Sequence, residues 1–195
     1  MSDDTTRERI LRATLELIWA RSVGNVSTEM VCKAAKVSKS SLYHFFPSKS
    51  DLVVAAYEFH WQRVAADYTK VFDPALTGEE QLQAYVAQTI GDFRRQKRDT
   101  GKVLGCPYVL AAAEMSTLDE KVRRVVESVF DRIIRLIDRA VASGVAAGTF
   151  RAEDTRAVAQ DLYMMMTGAV LQSKVRNAPD FISHVWPMMR ARLSG

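Results

Sequence analysis

The sequence predicts an all-α protein in which a small N-terminal domain precedes a larger helical domain. Apolar residues recur at intervals of three and four residues along most of the chain, which is the period of one face of an α-helix. Proline and glycine number only 5 and 9 among the 195 residues, too few for a fold rich in strands or long loops. The predicted domains are residues 1–50 and residues 51–195, and their boundary follows the stop that Pro47 marks.

The first helix is predicted from about Thr6 to Arg21, after a polar tail formed by residues 1–5. Its inward stripe has helical spacing and consists of Ile10, Ala13, Thr14, Leu17 and Ile18. Residues 22–25, which read Ser-Val-Gly-Asn, end this helix and lead into the next segment.

Residues 27–49 read STEMVCKAAKVSKSSLYHFFPSK, and they form two short amphipathic segments around a polar turn. Ser27 and Ser38 are predicted N-caps, because a serine hydroxyl accepts from the free N–H groups of a first helical turn. The inward residues are predicted to be Met30, Val31, Ala34 and Ala35, followed by Leu42, Phe45 and Phe46. The opposite face of the second helix carries groups that can hydrogen-bond with phosphates and base edges, at Lys39, Ser40, Ser41, Tyr43 and His44. The pattern predicts a helix-turn-helix, although its spacing alone also fits a solvated helical hairpin without a ligand.

The string VSKSSLYHFFPSKSDL at residues 37–52, with the amphipathic helix before it, closely resembles the DNA-binding domain of TetR-family transcriptional regulators. The resemblance implies a three-helix DNA-binding domain, and a lysine against the DNA backbone at Lys49. The chain has Lys36 in the turn where the family usually has a glycine in the left-handed conformation. The residues assigned to DNA contact are Thr28, Lys36, Lys39, Ser40, Ser41, Tyr43, His44 and Lys49.

The charge distribution favours the same surface. The formal net charge of +4 and the pI of about 9.1 permit nucleic-acid binding without requiring it. Between residues 21 and 49, however, a single acid, Glu29, stands against five basic residues, Arg21, Lys33, Lys36, Lys39 and Lys49. Positive charge is therefore concentrated around the predicted recognition helix.

Six further helical segments follow, separated by Gly- and Pro-containing breaks. They are predicted at Asp51–Val71, Glu79–Arg98, Tyr108–Met115, Leu118–Ala147, Glu153–Arg176 and Pro179–Leu193. Pro187 is expected to kink or split the last one, because it lacks a backbone N–H. The centre of the Glu153–Arg176 helix is apolar nearly all round, so it must be buried on more than one side.

A helix with two apolar sides invites self-association, and Gly168 and Ala169 would allow a second helix to approach closely. The resemblance implies a homodimer formed by the last two long helices, which would place two recognition helices about one DNA turn apart on a palindrome. The predicted dimer interface comprises Leu162, Met166, Gly168, Leu171, Phe181, Val185 and Met189. A monomer with a larger core is the alternative.

The resemblance also implies an effector pocket in the larger domain. Aromatic and methionine side chains suit a pocket for a small apolar molecule, although periodicity alone favours ordinary core. The candidate lining comprises Trp61, Tyr85, Phe93, Cys106, Tyr108, Met164 and Met165. Cys106 has two interpretations, either a reactive thiol at a helix start or a small packed side chain. The sequence of this region is also similar to a branch of TetR-like repressors that respond to electrophiles through a cysteine.

Other functions are less well supported. The three histidines, His44, His60 and His184, lack metal-ligand spacing with any cysteine or carboxylate. No catalytic motif is present, so we expect no enzymatic activity, no cofactor and no metal. A small-molecule carrier without DNA binding would leave the Lys39–Lys49 surface unexplained. Since the chain starts without an apolar signal segment, we expect a cytoplasmic protein. From the resemblance we expect a regulator that binds double-stranded operator DNA, a small-molecule effector and a second copy of itself.

Overall fold

The structure is a computed structural model that describes residues 3–194, and the side chains of residues 3 and 4 lie outside the description. Every regular element within this range is helical, which confirms the predicted all-α class. The helices are α1 (Asp3–Arg21), α2 (Thr28–Ala35), α3 (Lys39–Phe45), α4 (Lys49–Val71), α5 (Gly78–Thr100), α6 (Pro107–Met115), α7 (Glu120–Ala146), α8 (Thr155–Arg176), a 3₁₀ helix (Pro179–His184) and α9 (Val185–Ser194).

The helix boundaries agree closely with the sequence pattern after α1. Each predicted segment from Asp51 onward starts and ends within two residues of the observed helices. Helix α1 begins at Asp3, three residues before the predicted start, so part of the predicted polar tail is helical. Residues 1 and 2 of that tail lie outside the described residues.

The chain forms two compact units. One contains the described residues up to Val64 together with Pro107–Val129. The other contains Ala65–Cys106 and the described residues from Phe130 on. The predicted domain boundary after residue 50 stays a prediction.

In the first unit, α1 buries a wider face than predicted. Leu11 and Leu15 are buried beside the predicted Ile10 and Ile18, whereas Leu17 is only half-buried. The reason is that α1 contacts α2 and also packs Trp19 against His60 of α4, so its apolar stripe is wider than the single row that periodicity suggested.

Helix α2 also differs from its predicted inward face. Val31 and Ala35 are buried as expected, but Ala34 is exposed and Met30 is half-buried. Thr28 is buried instead, because it lies one turn before Val31 and so shares its side of the helix.

In the second unit, close helix packing depends on two glycines. A Cβ atom on Gly78, the first residue of α5, would overlap the carbonyl oxygen of Ala140 on α7. A Cβ atom on Gly144 would likewise overlap the ring of Phe150. Neither the contact of α5 with α7 nor the contact of Phe150 with α7 could form at its observed distance with a larger residue.

The last predicted helix is divided, as Pro187 suggested, but the break precedes the proline. Residues Pro179–His184 form the 3₁₀ helix, and Pro187 lies in the first turn of α9. In that position its missing N–H leaves no intrahelical hydrogen bond unmade. None of the helices within residues 3–194 combines the length and apolar character that crossing a membrane requires.

Candidate nucleic-acid interface

Local hydrogen bonds set the ends of α2 and α3. The Ser27 hydroxyl accepts from the backbone N–H of Met30 at 3.2 Å, and the Ser38 hydroxyl accepts from that of Ser41 at 3.1 Å. Both predicted N-caps are thereby confirmed. Each cap replaces water on a free N–H group of a first turn and so fixes where its helix begins.

The turn between the two helices is left-handed at Lys36, where φ is 52° and ψ is 51°. The backbone N–H of Val37 donates to the carbonyl of Cys32 at 3.0 Å, which closes the end of α2. This is the conformation that the family's usual glycine implied. A residue with a Cβ atom adopts it at a cost of roughly 1–2 kcal/mol.

Helix α3 turns its apolar side inward and its polar side outward. Leu42 is fully buried and Phe46 follows it into the core, while Phe45 is half-buried. The outward side chains are the ones that the sequence assigned to DNA contact: Lys39, Ser40, Tyr43 and His44 are exposed, and Ser41 is half-buried.

Two consecutive residues of the first turn of α2 contact α3. Glu29 Oε1 lies 2.6 Å from Lys39 Nζ. The hydrogen bond from Lys39 lowers the pKa of Glu29 to about 2, and the same contact raises the pKa of Lys39. The Thr28 hydroxyl lies 3.4 Å from the Tyr43 hydroxyl. Thr28 is therefore a buried neighbour of Tyr43 rather than an exposed side chain.

Glu29 is a site residue that sequence reasoning missed. It entered the sequence argument only as the one acid among five bases. Its partner Lys39 is ten residues away on another helix, so no local spacing rule connects them. Only the angle between α2 and α3 brings the two charges together.

Lys49 begins α4 and is half-buried. Ser48 caps this helix, because its hydroxyl accepts from the backbone N–H of Asp51 at 3.1 Å and donates to Asp51 Oδ2 at 2.6 Å. Asp51 Oδ1 also lies 2.7 Å from Lys121 Nζ, and that contact lowers the pKa of Asp51. The start of α4 is thus tied to the start of α7.

A second contact ties α6 to the loop that precedes α2. The carboxylate of Glu114 accepts from the backbone N–H of Val23 at 3.1 Å and from that of Gly24 at 2.6 Å. A Cβ atom on Gly24 would lie 2.7 Å from Glu114 Oε1, so the glycine permits the approach. No sequence pattern predicted this contact, because about 90 residues separate the partners.

The predicted effector residues fall in both units. Trp61 and Tyr108 lie in the first, where the Tyr108 hydroxyl donates to the carbonyl of Tyr57 at 3.0 Å. The other five, in the second unit, differ in exposure: Tyr85 and Phe93 are buried, Cys106 and Met165 are half-buried, and Met164 is 62% exposed.

The first unit contains a small cavity between α1, α4 and α6. It is lined by apolar and aromatic side chains that include Trp19, Tyr57 and Leu110. Its volume is about 10 Å³, which is room for roughly one water molecule. The cavity is therefore too small for an effector as it stands.

Side chains from α5 and α8 hold the segment before Cys106. Gln96 Oε1 accepts from the backbone N–H groups of Leu104 and Gly105, at 2.9 and 3.1 Å. Lys174 Nζ donates to the Leu104 carbonyl at 2.9 Å, and burial lowers the pKa of this lysine. Cys106 thus directly follows a segment whose backbone N–H and carbonyl groups are both hydrogen-bonded to side chains.

The residues predicted for the dimer interface differ in how far their own chain buries them. Leu162, Met166, Val185 and Met189 are at most 1% exposed, so they belong to the core of their own chain and are not available to a partner as predicted. Gly168 and Leu171 are exposed, and Phe181 is half-buried. The apolar side chains that α8 does expose are Met164, Leu171 and Val175, and Met188 is exposed on α9.

Models of one protein family match both the N-terminal and the C-terminal part of this chain. Residues 10–56 match the family model described as bacterial regulatory proteins, tetR family, and residues 78–189 match the tetracyclin repressor-like C-terminal domain. HTH-type transcriptional repressor NemR of Escherichia coli (strain K12) is 30% identical over 180 residues, which cover 89% of this chain and 86% of NemR. Transcriptional regulator AcuR of Cereibacter sphaeroides is 25% identical over 177 residues, with coverage of 89% and 78%. The crystal structure of E. coli NemR in its reduced form has a TM-score of 0.84 and 25% identity, and 97% of each chain is covered.

Proposed function

The chain belongs to the TetR family of bacterial regulatory proteins, and from that premise we propose that it represses transcription as a dimer on a palindromic operator. A small-molecule effector bound by the larger helical region releases the DNA in this proposal. The observation that carries it is the exposed polar face of α3, which lies opposite the fully buried Leu42. Operator binding places the protein in the bacterial cytoplasm, where the DNA is.

The dimensions and chemistry of α3 suit a major groove. An α-helix with its side chains is about 10–12 Å across, and the major groove of B-DNA is about 12 Å wide. Lys39, Tyr43 and His44 offer an ammonium, a phenol and an imidazole along one exposed side. Lys49 lies at the N-terminus of α4, where free backbone N–H groups add to its positive charge and favour a phosphate.

The proposed dimer uses the side of α8 that its own chain leaves uncovered. Met164, Gly168, Leu171 and Val175 follow one another at intervals of four, three and four residues, so they form one stripe along the helix. Exposed apolar side chains at this spacing are the usual sign of a helix-packing surface. Gly168 has open space around its Cβ position within the chain, which a partner helix could occupy. The stripe therefore replaces the buried residues Leu162 and Met166 in the proposed interface.

The proposed effector site draws on the second unit. Tyr85 and Phe93 provide buried aromatic surface, and Cys106 provides a half-buried thiol. Such a lining suits an apolar or aromatic molecule. Modification of Cys106 by an electrophile is a more specific form of this proposal. A screen of small molecules by thermal shift, with and without prior alkylation, separates the two forms.

The experiment that tests DNA recognition starts from the wild-type protein and a random duplex library. The duplex recovered by repeated selection then serves as the probe in fluorescence anisotropy. Lys39→Ala and Tyr43→Ala should each weaken binding to it by roughly 5- to 150-fold, because a base contact contributes about 1–3 kcal/mol. Lys49→Ala should weaken selected and random duplexes alike and reduce the salt slope by about 1.

Lys102→Ala is the matched control, since it removes an exposed lysine in the second unit. It should bind the selected duplex as the wild type does. The proposed recognition helix is wrong if Lys39→Ala and Tyr43→Ala also retain wild-type affinity. A carrier without a DNA-binding role would yield no selected duplex at all.

A further inference from the structure

The first turn of α2 holds two of the outward side chains of α3. Glu29 pairs with Lys39 at 2.6 Å, and the hydroxyl of Thr28 faces that of Tyr43 at 3.4 Å. The inner side of α3 is filled by Leu42, whereas Thr28 and Glu29 contact side chains on its outward side. The two contacts instead limit where the ends of Lys39 and Tyr43 can lie.

The Glu29–Lys39 pair stands at the surface that faces DNA in the proposed complex. The side chain of Glu29 is 63% exposed and that of Lys39 is 59% exposed. A lysine ammonium has three N–H donors, and the contact with Glu29 occupies one of them. The other two stay available to a DNA acceptor while the pair is intact.

The carboxylate affects two modes of DNA binding differently. Non-specific binding consists of contacts with phosphates, and a phosphate on the Lys39 ammonium would lie beside the Glu29 carboxylate, which repels it and competes for the same ammonium. Specific binding uses base edges, and guanine O6 and N7 are uncharged acceptors that the carboxylate repels less than it repels a phosphate. The pair therefore penalises phosphate contact more than base contact.

We propose that Glu29 is a specificity-determining residue of this helix-turn-helix, which positions Lys39 for a base edge and discourages its use on phosphates. The proposal rests on the proposed DNA-binding function and adds to it a positioning residue. Lys39 makes the contact with DNA, and Glu29 acts through it.

The test compares wild type with Glu29→Gln on two probes, the duplex selected by the wild-type protein and a random-sequence duplex of equal length. Glu29→Gln should bind the random duplex roughly two- to fivefold more tightly, which is the range expected from loss of an exposed ion pair. Its salt slope on that duplex should become steeper by about 0.9, because one more cation reaches a phosphate. Binding to the selected duplex should stay equal or weaken, so the ratio of the two affinities falls.

The matched control is Glu127→Gln. Glu127 is 59% exposed and pairs with Arg123 at 3.0 Å on α7, outside the helix-turn-helix. It undergoes the same change of charge and should leave the affinity ratio unchanged. If Glu127→Gln lowers the ratio as much as Glu29→Gln does, the effect is one of net charge and the proposal is overturned.

The double variant Glu29→Gln/Lys39→Ala shows whether Glu29 acts through Lys39. In the Lys39→Ala background, Glu29→Gln should no longer change the affinity ratio. A persistent change would mean that the Glu29 carboxylate acts on DNA directly, by repelling phosphates or by contacting a base, and either result contradicts the positioning role. Equal weakening on both duplexes would mean that Glu29 only stabilises the first turn of α2, and that outcome also contradicts it.

The outcome for the wild type separates this inference from the function on which it rests. A wild type that selects no duplex refutes the proposed function. A wild type that selects a duplex, together with a Glu29→Gln variant of unchanged selectivity, refutes the role of Glu29 alone. Circular dichroism of each variant establishes that the comparison is made on folded protein.

Discussion

Replacing Lys36 separates the conformational cost of the turn from the charge that the turn carries. Lys36 has φ 52° and ψ 51°, a conformation that disfavours any side chain with a Cβ atom, and it is exposed. Lys36→Ala and Lys36→Gly remove the same cation. They differ only in whether a Cβ atom remains in the left-handed position.

The expected difference in stability follows from two opposing effects. Removing the Cβ atom relieves roughly 1–2 kcal/mol of conformational cost in the folded state. Glycine also adds freedom to the unfolded chain, which opposes folding by roughly 0.5–1 kcal/mol. The glycine variant should therefore be more stable than the alanine variant by about 0.5–1 kcal/mol. For a chain of this size, that corresponds to a Tm higher by roughly 1–4 °C.

At Lys33, within α2, the same two substitutions should have the opposite effect on stability. It is an exposed lysine in the last turn of α2, where the backbone is helical. Glycine there should be less stable than alanine by about 1 kcal/mol, since glycine is a poor helix former. The sign of the Gly–Ala difference should thus reverse between residues 33 and 36.

Thermal unfolding followed by circular dichroism measures the stability of the four variants. Fluorescence anisotropy on the selected duplex measures their affinity for DNA. Lys36→Ala and Lys36→Gly should lose affinity equally, with a salt slope reduced by about 0.9, because both lose one cation. The reasoning about the turn is refuted if the glycine variant at residue 36 is no more stable than the alanine variant. A wild-type salt slope in both would remove Lys36 from the proposed DNA contacts.

Two further predictions concern the other parts of the molecule. Leu171→Glu should give monomers in sedimentation velocity, because it places a charge in the proposed α8 interface. The control Leu118→Glu, at a more exposed position, should leave the oligomeric state unchanged. Dimers in both variants would place the interface elsewhere. Burial, aided by Arg63, lowers the pKa of His60 to about 4. The unfolded chain then binds a proton between about pH 6.5 and 4 that the folded chain does not, so the free energy of unfolding should decrease as the pH falls through this range. His60→Gln should flatten that dependence in urea titrations, and an unchanged dependence would show that other groups cause it.

Short-range features of this protein could be predicted from the sequence because their partners lie within about four residues of each other. The caps at Ser27 and Ser38 each join a hydroxyl to an N–H group three residues on. The left-handed turn at Lys36 was implied by the resemblance, because the family usually has a glycine there. The order of the helices likewise follows from apolar periodicity and from breaks that glycine and proline mark.

Burial within helices could be predicted only in part. Periodicity identifies an apolar side, but it does not reveal how many neighbours cover a helix. For that reason α1 buries Leu11 and Leu15 in addition to its predicted stripe. For the same reason Leu162 and Met166 of α8 are buried within their own chain instead of at the predicted dimer interface. The sequence showed that the centre of α8 is apolar nearly all round, and the packing decided which apolar side chains of α8 stay exposed.

Contacts between distant residues were decided by the tertiary structure alone. Glu29 meets Lys39, and Glu114 meets the backbone of Val23 and Gly24, because helix packing brings those groups within hydrogen-bond distance. A charged residue at the surface of a helix looks the same in the sequence whether or not another helix presents a partner to it. The sequence therefore determined which groups the recognition helix carries, and the angle between the helices determined which of those groups are held in place.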